Sequence, residues 1–383
     1  MRMNKITGIL SLTDPSTRDM QPLTTRRPVA ALPFASRYRA IDFHLSNFSH
    51  AEMDSAAIFI GGSGRSIYDH IRSGAVWNLE STLSGGIFTY SQTYMKQHTD
   101  DPHFGENHFY ENQREFLTKS RAEYVIVGGG KIIGTFDFLA MRDFHMEHDG
   151  DITVLYKNMP VDEVKGHDYE KVLQFDSNRD VLEMRPSSDC DFTGETAPMS
   201  LNFYMMNVSK LIEIIDRATK EGIRMDIDRL VAYYSKFYQV DAYEHTGPIV
   251  NFDSIKSYYE ANMSLLNKDF YDAVFHGERK IITKVKNEAP TYYCSDAKVK
   301  RSLPATGSYN SGTIENSLIF RKVNVGKDAE IRDSIIMQGS KIGEGAILEY
   351  CILDKNVTIE PGVILKGSID NLIVIEKNKT VTA

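Results

Sequence analysis

The stretch Asn324-Val325-Gly326-Lys327-Asp328-Ala329-Glu330-Ile331 and its echo Lys341-Ile342-Gly343-Glu344-Gly345-Ala346-Ile347-Leu348 decide the fold of the carboxy-terminal part of the chain. In both, an aliphatic residue recurs after six positions and an apolar partner follows four further on, as in Val325 with Ala329, Ile331 with Ile335, Ile342 with Ala346 and Leu348 with Ile352. The pairing continues through Ile319 with Val323, Leu353 with Val357, Ile359 with Val363 and Leu365 with Ile369. Gly326 and Gly343 directly follow their aliphatic residues. This is the hexapeptide pattern of a left-handed parallel β-helix, in which each side of a coil buries one aliphatic residue and leaves polar residues outside. The step shortens to five between Leu348 and Leu353, and once between Ile331 and Ile342, so some turns are tighter. Eight pairs in register count against accidental alternation in an ordinary β-rich domain. The pattern speaks to fold and is silent on catalysis.

Upstream of Pro290-Thr291-Tyr292-Tyr293 the periodicity differs. From Ile6 to about Asn267, short β-rich runs alternate with amphipathic helical stretches, which predicts an α/β domain with a mostly parallel sheet covered on both faces. Expected strands include 56–59, 124–127, 152–156, 172–175, 181–184, 200–206 and 239–243. Expected helices include 41–48, 111–120, 138–147, 210–220 and 253–265, the last carrying Ile255, Tyr258, Tyr259 and Met263 on one face. The division that follows is an α/β domain over 1–267, a linker over 268–295 and the β-helix over 296–383. A chain of 383 residues with 42% hydrophobic content accommodates two such cores. A net charge of −8 argues against nucleic acid or an anionic membrane as partner. No signal-peptide core or bilayer-length apolar run is present, which predicts a cytoplasmic protein. Cys190, Cys294 and Cys351 are scattered, without ligand spacing, and read as reduced structural thiols.

The chemistry is concentrated near the amino terminus. The strand-like Ile6-Thr7-Gly8-Ile9-Leu10-Ser11-Leu12 runs into Thr13-Asp14-Pro15-Ser16-Thr17-Arg18-Asp19-Met20, a loop without a glycine. A phosphate cradle needs closely approaching backbone N–H groups, which glycine permits and Pro15 lacks. Asp14 and Asp19 would also face an already negative triphosphate. The following segment, Pro22-Leu23-Thr24 through Arg37-Tyr38-Arg39-Ala40-Ile41-Asp42-Phe43-His44-Leu45-Ser46-Asn47, resembles the amino-terminal signature of the ADP-glucose pyrophosphorylases (glucose-1-phosphate adenylyltransferases). The resemblance covers nearly the whole chain, through Ser257-Tyr258-Tyr259-Glu260-Ala261-Asn262-Met263 to the coils. Its departures look most like the GlgD-type regulatory subunit, which partners a catalytic GlgC-type chain.

Nucleotidyl transfer needs a cradle and a basic group for the triphosphate, carboxylates for Mg²⁺, and cationic clamps for the sugar phosphate. Carried onto this sequence, the family's cradle arginine falls on Asp19, or on Arg18 if the loop shifts by one residue, and a family lysine falls on Val29. The first metal carboxylate falls on Lys131, counted back from Asp137-Phe138, and the second on Asn251. Asn107 stands where the family has an aspartate. Glu183 and Arg185 stand near the sugar-phosphate lysine motif, and with Asn107 make the expected substrate-like pocket. An ammonium about 4 Å from a divalent cation is repelled by roughly 8 kcal/mol at an effective dielectric near 20, more than a neutral Asn251 could offset. Asp137 or Asp253 are the fallback metal ligands. Gly128-Gly129-Gly130 precedes Lys131 but lacks the Lys-Ser/Thr pair of a P-loop, and reads as a tight turn.

Arg26, Arg27, Arg37 and Arg39 form a basic patch suited to phosphate oxygens, and the resemblance implies anionic sugar-phosphate or phosphate effectors there. Structural ion pairs are the competing reading. The histidines form no HxxxH or HExxH pair, Gly62-Ser63-Gly64 is an ordinary loop, and the polar stretch 92–107 is long enough to carry function. The expectation is therefore a catalytically weak or inactive regulatory subunit. It would need no cofactor in this chain, with Mg²⁺ held by the catalytic GlgC-type partner of a hetero-tetramer; a homo-oligomer of this chain alone is the other assembly allowed. Two rival readings are an active nucleotidyltransferase with displaced metal ligands and a hexapeptide acyltransferase, the latter disfavoured by the absence of histidine between Glu315 and Ile375.

Overall fold

The computed structural model describes residues 5–14, 17–80, 85–92, 108–165, 170–177 and 180–382. The chain divides into two compact units, one of Met1–Pro15 with Phe43–Ile249 and one of Ser16–Asp42 with Val250–Ala383. Both units are therefore discontinuous in sequence, whereas the periodicity placed one boundary near residue 267.

The first unit is built on a nine-stranded mixed sheet. Strand Ile6–Leu12 is central and parallel to Tyr124–Gly129 on one side and Ser55–Ile60 on the other, and Ser55–Ile60 continues in parallel to Gly86–Ser91. All seven residues of Ile6–Leu12 are buried, as expected of a parallel strand covered on both faces. Thr196–Asn207 runs antiparallel to Tyr124–Gly129, and Ile152–Pro160 joins it on its far side. Lys171–Phe175 and Val181–Pro186 form an antiparallel extension, and Val240–Glu244 lies parallel to Ile152–Pro160. Helix Val208–Lys220 buries Leu211, Ile214, Ile215 and Ala218, a helical-period stripe that joins Val125, Val127 and Tyr204 in the main core. The opposite face holds an aromatic group in which Phe136, Phe138 and Phe203 meet at centroid distances of 5.1 to 6.0 Å. The expected strands and helices are all present. Strand Gly86–Ser91 and helices Arg65–Ile71, Ile227–Tyr234 and Lys268–Phe275 are additions, the last within the stretch read as linker.

The second unit contains the β-helix, three parallel sheets of strands only two or three residues long. Asn324 pairs with Lys341 and Lys341 with Thr358, so successive rungs there lie seventeen residues apart, one short of three hexapeptides. The missing residue is at the corner after each strand of one sheet. Asn316, Asp333 and Tyr350 turn it with φ of 47°, 44° and 51°. The Ser317 and Ser334 hydroxyls accept from the backbone N–H of Ser334 and Cys351 in the next coil, at 3.1 and 3.0 Å. The shortened step thus puts Ile336 and Leu353 in the interior beside Ile331 and Leu348. Ile335 and Ile352, read as interior partners, are buried but lie outside that interior cluster. Ile369 is 39% exposed, because residues 367–372 leave the repeat in a loop closed by the Ser368–Asn371 bridge. A Cβ on Gly326 would meet the Gly343 carbonyl carbon at 2.9 Å, and one on Gly343 would meet Pro361 nitrogen at 2.4 Å, so coil stacking requires both glycines.

The segment Ser16–Asp42 belongs to this unit through specific ties. Tyr258 Oη donates to the Pro33 carbonyl at 2.6 Å, Asn262 Oδ1 accepts from Ala35 N–H at 3.2 Å, and Ser36 Oγ donates to the Leu303 carbonyl at 2.8 Å. Helix Ile255–Met263 buries Tyr258 and Tyr259 and starts with a Ser254/Ser257 capping box. Cys190, Cys294 and Cys351 are all free thiols, and burial pushes Cys351 up to about 12.

Candidate functional site

A cavity of about 350 Å³ opens in the first unit where the strand ends converge. Asp14, just beyond Ile6–Leu12, lines it together with Lys131, Glu170, Lys171, Asn202, Asp228 and Arg229. Three local features shape it. Tyr124–Gly129 ends in glycines because its neighbour leaves no room for side chains: a Cβ on Gly128 would lie 2.1 Å from the Phe203 ring and one on Gly129 2.4 Å from Asn202 Nδ2. The glycine run, read as a tight turn, is thus mostly strand. Thr196–Asn207 slips register between Ser200 and Phe203, where Asn202 takes φ of 55°, and the Asn202 amide donates to Asp228 Oδ2 at 3.0 Å. Helix Ile227–Tyr234 then supplies Asp228 at its first turn and Arg229 on its exposed side.

The cavity floor is an ion pair. Lys131 Nζ lies 2.7 Å from Glu170 Oε1, with side chains only 4% and 3% exposed. A divalent cation does not fit beside it, because the ammonium repels the metal and Glu170 is already engaged. Among the described residues, no group of three or more His, Cys, Asp or Glu side chains is arranged to hold a metal. Asp228 is the other buried charge: its Oδ1 has no hydrogen-bond partner in the protein, and burial lifts its carboxyl to about 6. Lys171 is pushed below the usual lysine value by burial and then by Arg229. Nearby His44 is fully buried and pushed down to about 4, so it stays neutral against the Gly130 carbonyl at 3.4 Å.

The remaining sequence-derived positions are scattered. Asp19 is exposed and Val29 is buried in a short 3-10 turn of the second unit, which also contains Asn251 and the buried Asp253. Asp137 caps helix Phe138–Glu147, accepting from Ala140 N–H at 3.0 Å. Glu183 and Arg185 pair with each other on a sheet-edge strand and do not line the cavity, which takes Pro186 from that strand. Asn107 lies outside the described residues, as do Pro15, Ser16 and the 93–107 part of the long polar loop. Sequence reasoning missed Glu170, Lys171, Asn202, Asp228 and Arg229. One signal was available: Asp228 sits between Ile227 and Leu230-Val231, a carboxylate at the buried edge of an amphipathic turn.

The four arginines do not form one patch. Arg27 is buried, its guanidinium 2.8 Å from Asp354, with both side chains under a tenth exposed, and its Nε donates to the Leu23 carbonyl at 2.7 Å. It is a structural ion pair, as the competing reading had it. Arg26 and Arg37 are exposed, Arg37 lying 5.8 Å over the Tyr38 ring. Arg39 acts instead with Lys355, whose ammonium is pushed down to about 7 by burial, Arg39 and Arg27.

A mixed α/β sheet of this topology followed by hexapeptide coils defines a nucleotidyltransferase-type protein carrying a β-helix. Residues 16–184 match the Nucleotidyl transferase family and residues 291–368 the GlmU-like, C-terminal hexapeptide family. The chain is 29% identical over 374 residues to the glycogen biosynthesis protein GlgD of Bacillus subtilis, covering 98% of this chain and 96% of that protein. It is 31% identical over 328 residues to GlgD of Geobacillus stearothermophilus, with 86% and 83% covered. It is 25% identical over 365 residues to a glucose-1-phosphate adenylyltransferase of Bacillus cereus, with 94% and 95% covered. The chain belongs to the ADP-glucose pyrophosphorylase family, on its GlgD-type side. Among the described residues no helix is long and apolar enough to cross a membrane.

Proposed function

We propose that this chain acts in glycogen biosynthesis as the regulatory, catalytically weak or inactive subunit of a glucose-1-phosphate adenylyltransferase, assembled with a catalytic GlgC-type subunit into a hetero-tetramer. The catalytic partner would hold Mg²⁺ and convert ATP and glucose 1-phosphate to ADP-glucose and pyrophosphate. The observation that carries this reading is the buried Lys131–Glu170 pair, which puts an ammonium where the resemblance calls for a metal carboxylate. The glycine-free loop and the core-packed Val29 point the same way. The rival with displaced metal ligands is weakened because Asp137 is engaged as a helix cap. In the second unit, Arg39 and Lys355 are the cations best suited to an anionic sugar-phosphate or phosphate effector, with Arg27 holding the segment in place. The cytoplasm is the compartment consistent with this role.

The test is coexpression with a catalytic paralogue and assay of the mixed complex across effector concentrations. The expected result is co-purification and a shift in the partner's apparent affinity of roughly 5- to 150-fold. Failure to co-purify with any catalytic partner, or robust Mg²⁺-dependent synthesis by the isolated chain, would remove the reading.

A further inference from the structure

We propose that the first coil of the β-helix is an open docking end that rejects a second copy of this chain and receives an acidic edge strand of the catalytic subunit. It rests on the subunit reading above and adds the surface and the charge that select the partner.

The first coil is left open in both its backbone and its core. Strands Tyr292–Tyr293 and Lys298–Lys300 pair only with the coil that follows them. The Tyr292, Cys294 and Lys298 N–H groups donate to that coil, so the alternating Tyr293 and Val299 turn their backbone groups to the outer edge, where among the described residues they have no partner. Their side chains hold interior register, Val299 with Ile314 and Ile331, and Tyr293 with Asn310 and Val325. Yet Val299 is 38% and Tyr293 45% exposed, against 2% for Ile314, so the apolar core ends uncovered. Tyr292 adds an exposed ring, stacked on Tyr309 of the next coil at 5.2 Å. The third strand, Leu303–Pro304, is partly closed by the Ser36 hydroxyl on the Leu303 carbonyl, which leaves the other two as the docking edge.

Charge determines what can cover this edge. Lys300, Glu315, Arg332, Glu349 and Lys366 stand in register on successive rungs of one sheet, a column of alternating sign. Lys300 Nζ lies 2.9 Å from Glu315 Oε1. The column finishes in lysine at both ends. A second copy stacked head to tail would therefore set Lys366 against Lys300, and one docked by a two-fold axis would bring two basic ends together. Within residues 292–304 the cations are Lys298, Lys300 and Arg301, and the one carboxylate is Asp296. The next rung in the alternation is a carboxylate, so the occupant is a foreign strand bearing Asp or Glu beside apolar residues.

The experiment is fluorescence-detected sedimentation of a labelled catalytic subunit titrated with the full chain, as wild type or as Lys298→Glu with Lys300→Glu, folding being checked by circular dichroism. The reversal should weaken the mixed complex by about tenfold or more, whereas Lys379→Glu, near the end of the last coil, should leave it unchanged. Val299→Asp should also weaken the mixed complex while leaving the sedimentation of the chain alone unaltered. Wild type mixed with the reversed chain should form a pair that neither forms alone. A reversal without effect on the mixed complex, self-association of the wild type that Val299→Asp dissolves, or no pairing between wild type and reversed chain would each overturn the proposal. A wild type that forms no complex with any catalytic subunit defeats the subunit reading and the partner named here with it, whereas a complex that forms but ignores the reversal defeats only the docking end.

Discussion

Asp228→Asn should make the protein more stable at neutral pH. In the folded chain, burial raises the Asp228 carboxyl from 3.8 to about 6, which means that the folded state binds this proton more tightly than the unfolded state does. The ionised form therefore costs stability at every pH above about 6. That cost is relieved as pH falls through 6 and vanishes near the unfolded value of about 4. Each tenfold difference in proton affinity between the two states corresponds to about 1.4 kcal/mol, so the full penalty at pH 7.5 is on the order of 3 kcal/mol. Asparagine keeps the shape and can still accept from Asn202, but carries no charge to desolvate. Urea unfolding of wild type and variant at pH 7.5, 6 and 4.5, following the first unit's buried Trp77, measures the difference directly. The variant should be more stable by about 1–3 kcal/mol at pH 7.5, with the advantage shrinking steadily toward pH 4.5. A variant that is less stable at pH 7.5, or an advantage that does not change with pH, would refute the picture of a buried carboxylate retained at a cost to folding.

Arg27→Ala should destabilise the second unit by about 3–5 kcal/mol in denaturant unfolding, because it leaves Asp354 buried without its partner, whereas Arg27→Met with Asp354→Leu should recover most of the loss. Arg39→Ala should blunt effector activation of the mixed complex with little change in its basal rate or in stability, as measured by effector titration. The isolated chain should synthesise ADP-glucose at least two orders of magnitude more slowly than the mixed complex under saturating Mg²⁺, since on the proposed subunit reading several groups needed for transfer are replaced together. Gly129→Ala should displace the Asn202 amide, which a Cβ would approach at 2.4 Å, and lower the stability of the first unit in the same urea titration.

Local regularities are what the sequence made legible. Six-residue spacing survives as the coil because each rung buries its own aliphatic residue, so Val325, Ile331, Ile342 and Leu348 announce the β-helix without reference to the rest of the chain. The continuous apolar run Ile6–Leu12 announces a strand covered on both faces, and the Leu211, Ile214, Ile215 and Ala218 stripe a helix packed on the same sheet. Replacement of chemical groups is equally local: a loop without glycine and a lysine at position 131 can be read before any folding.

What sequence could not supply was the identity of partners distant along the chain. Arg27 looked like one of four available arginines until Asp354, 327 residues away, was found on it. Lys131 was read as standing at the position of a metal carboxylate, and nothing along the chain announced Glu170 as the partner that neutralises it. The seventeen-residue coil depends on serines that bond across coils, so the choice between Ile335 and Ile336 for the interior was settled by a corner and not by the aliphatic pattern. Asp228, Asn202, Lys171 and Arg229 come from three separate elements and share no motif. The sequence by itself determined the two architectures and set the expectation that the family's chemical groups are replaced, because periodicity and residue type act through near neighbours. Only the tertiary structure decided which charges are compensated and which face a cavity, because compensation of a buried charge depends on spatial neighbours that chain order does not encode.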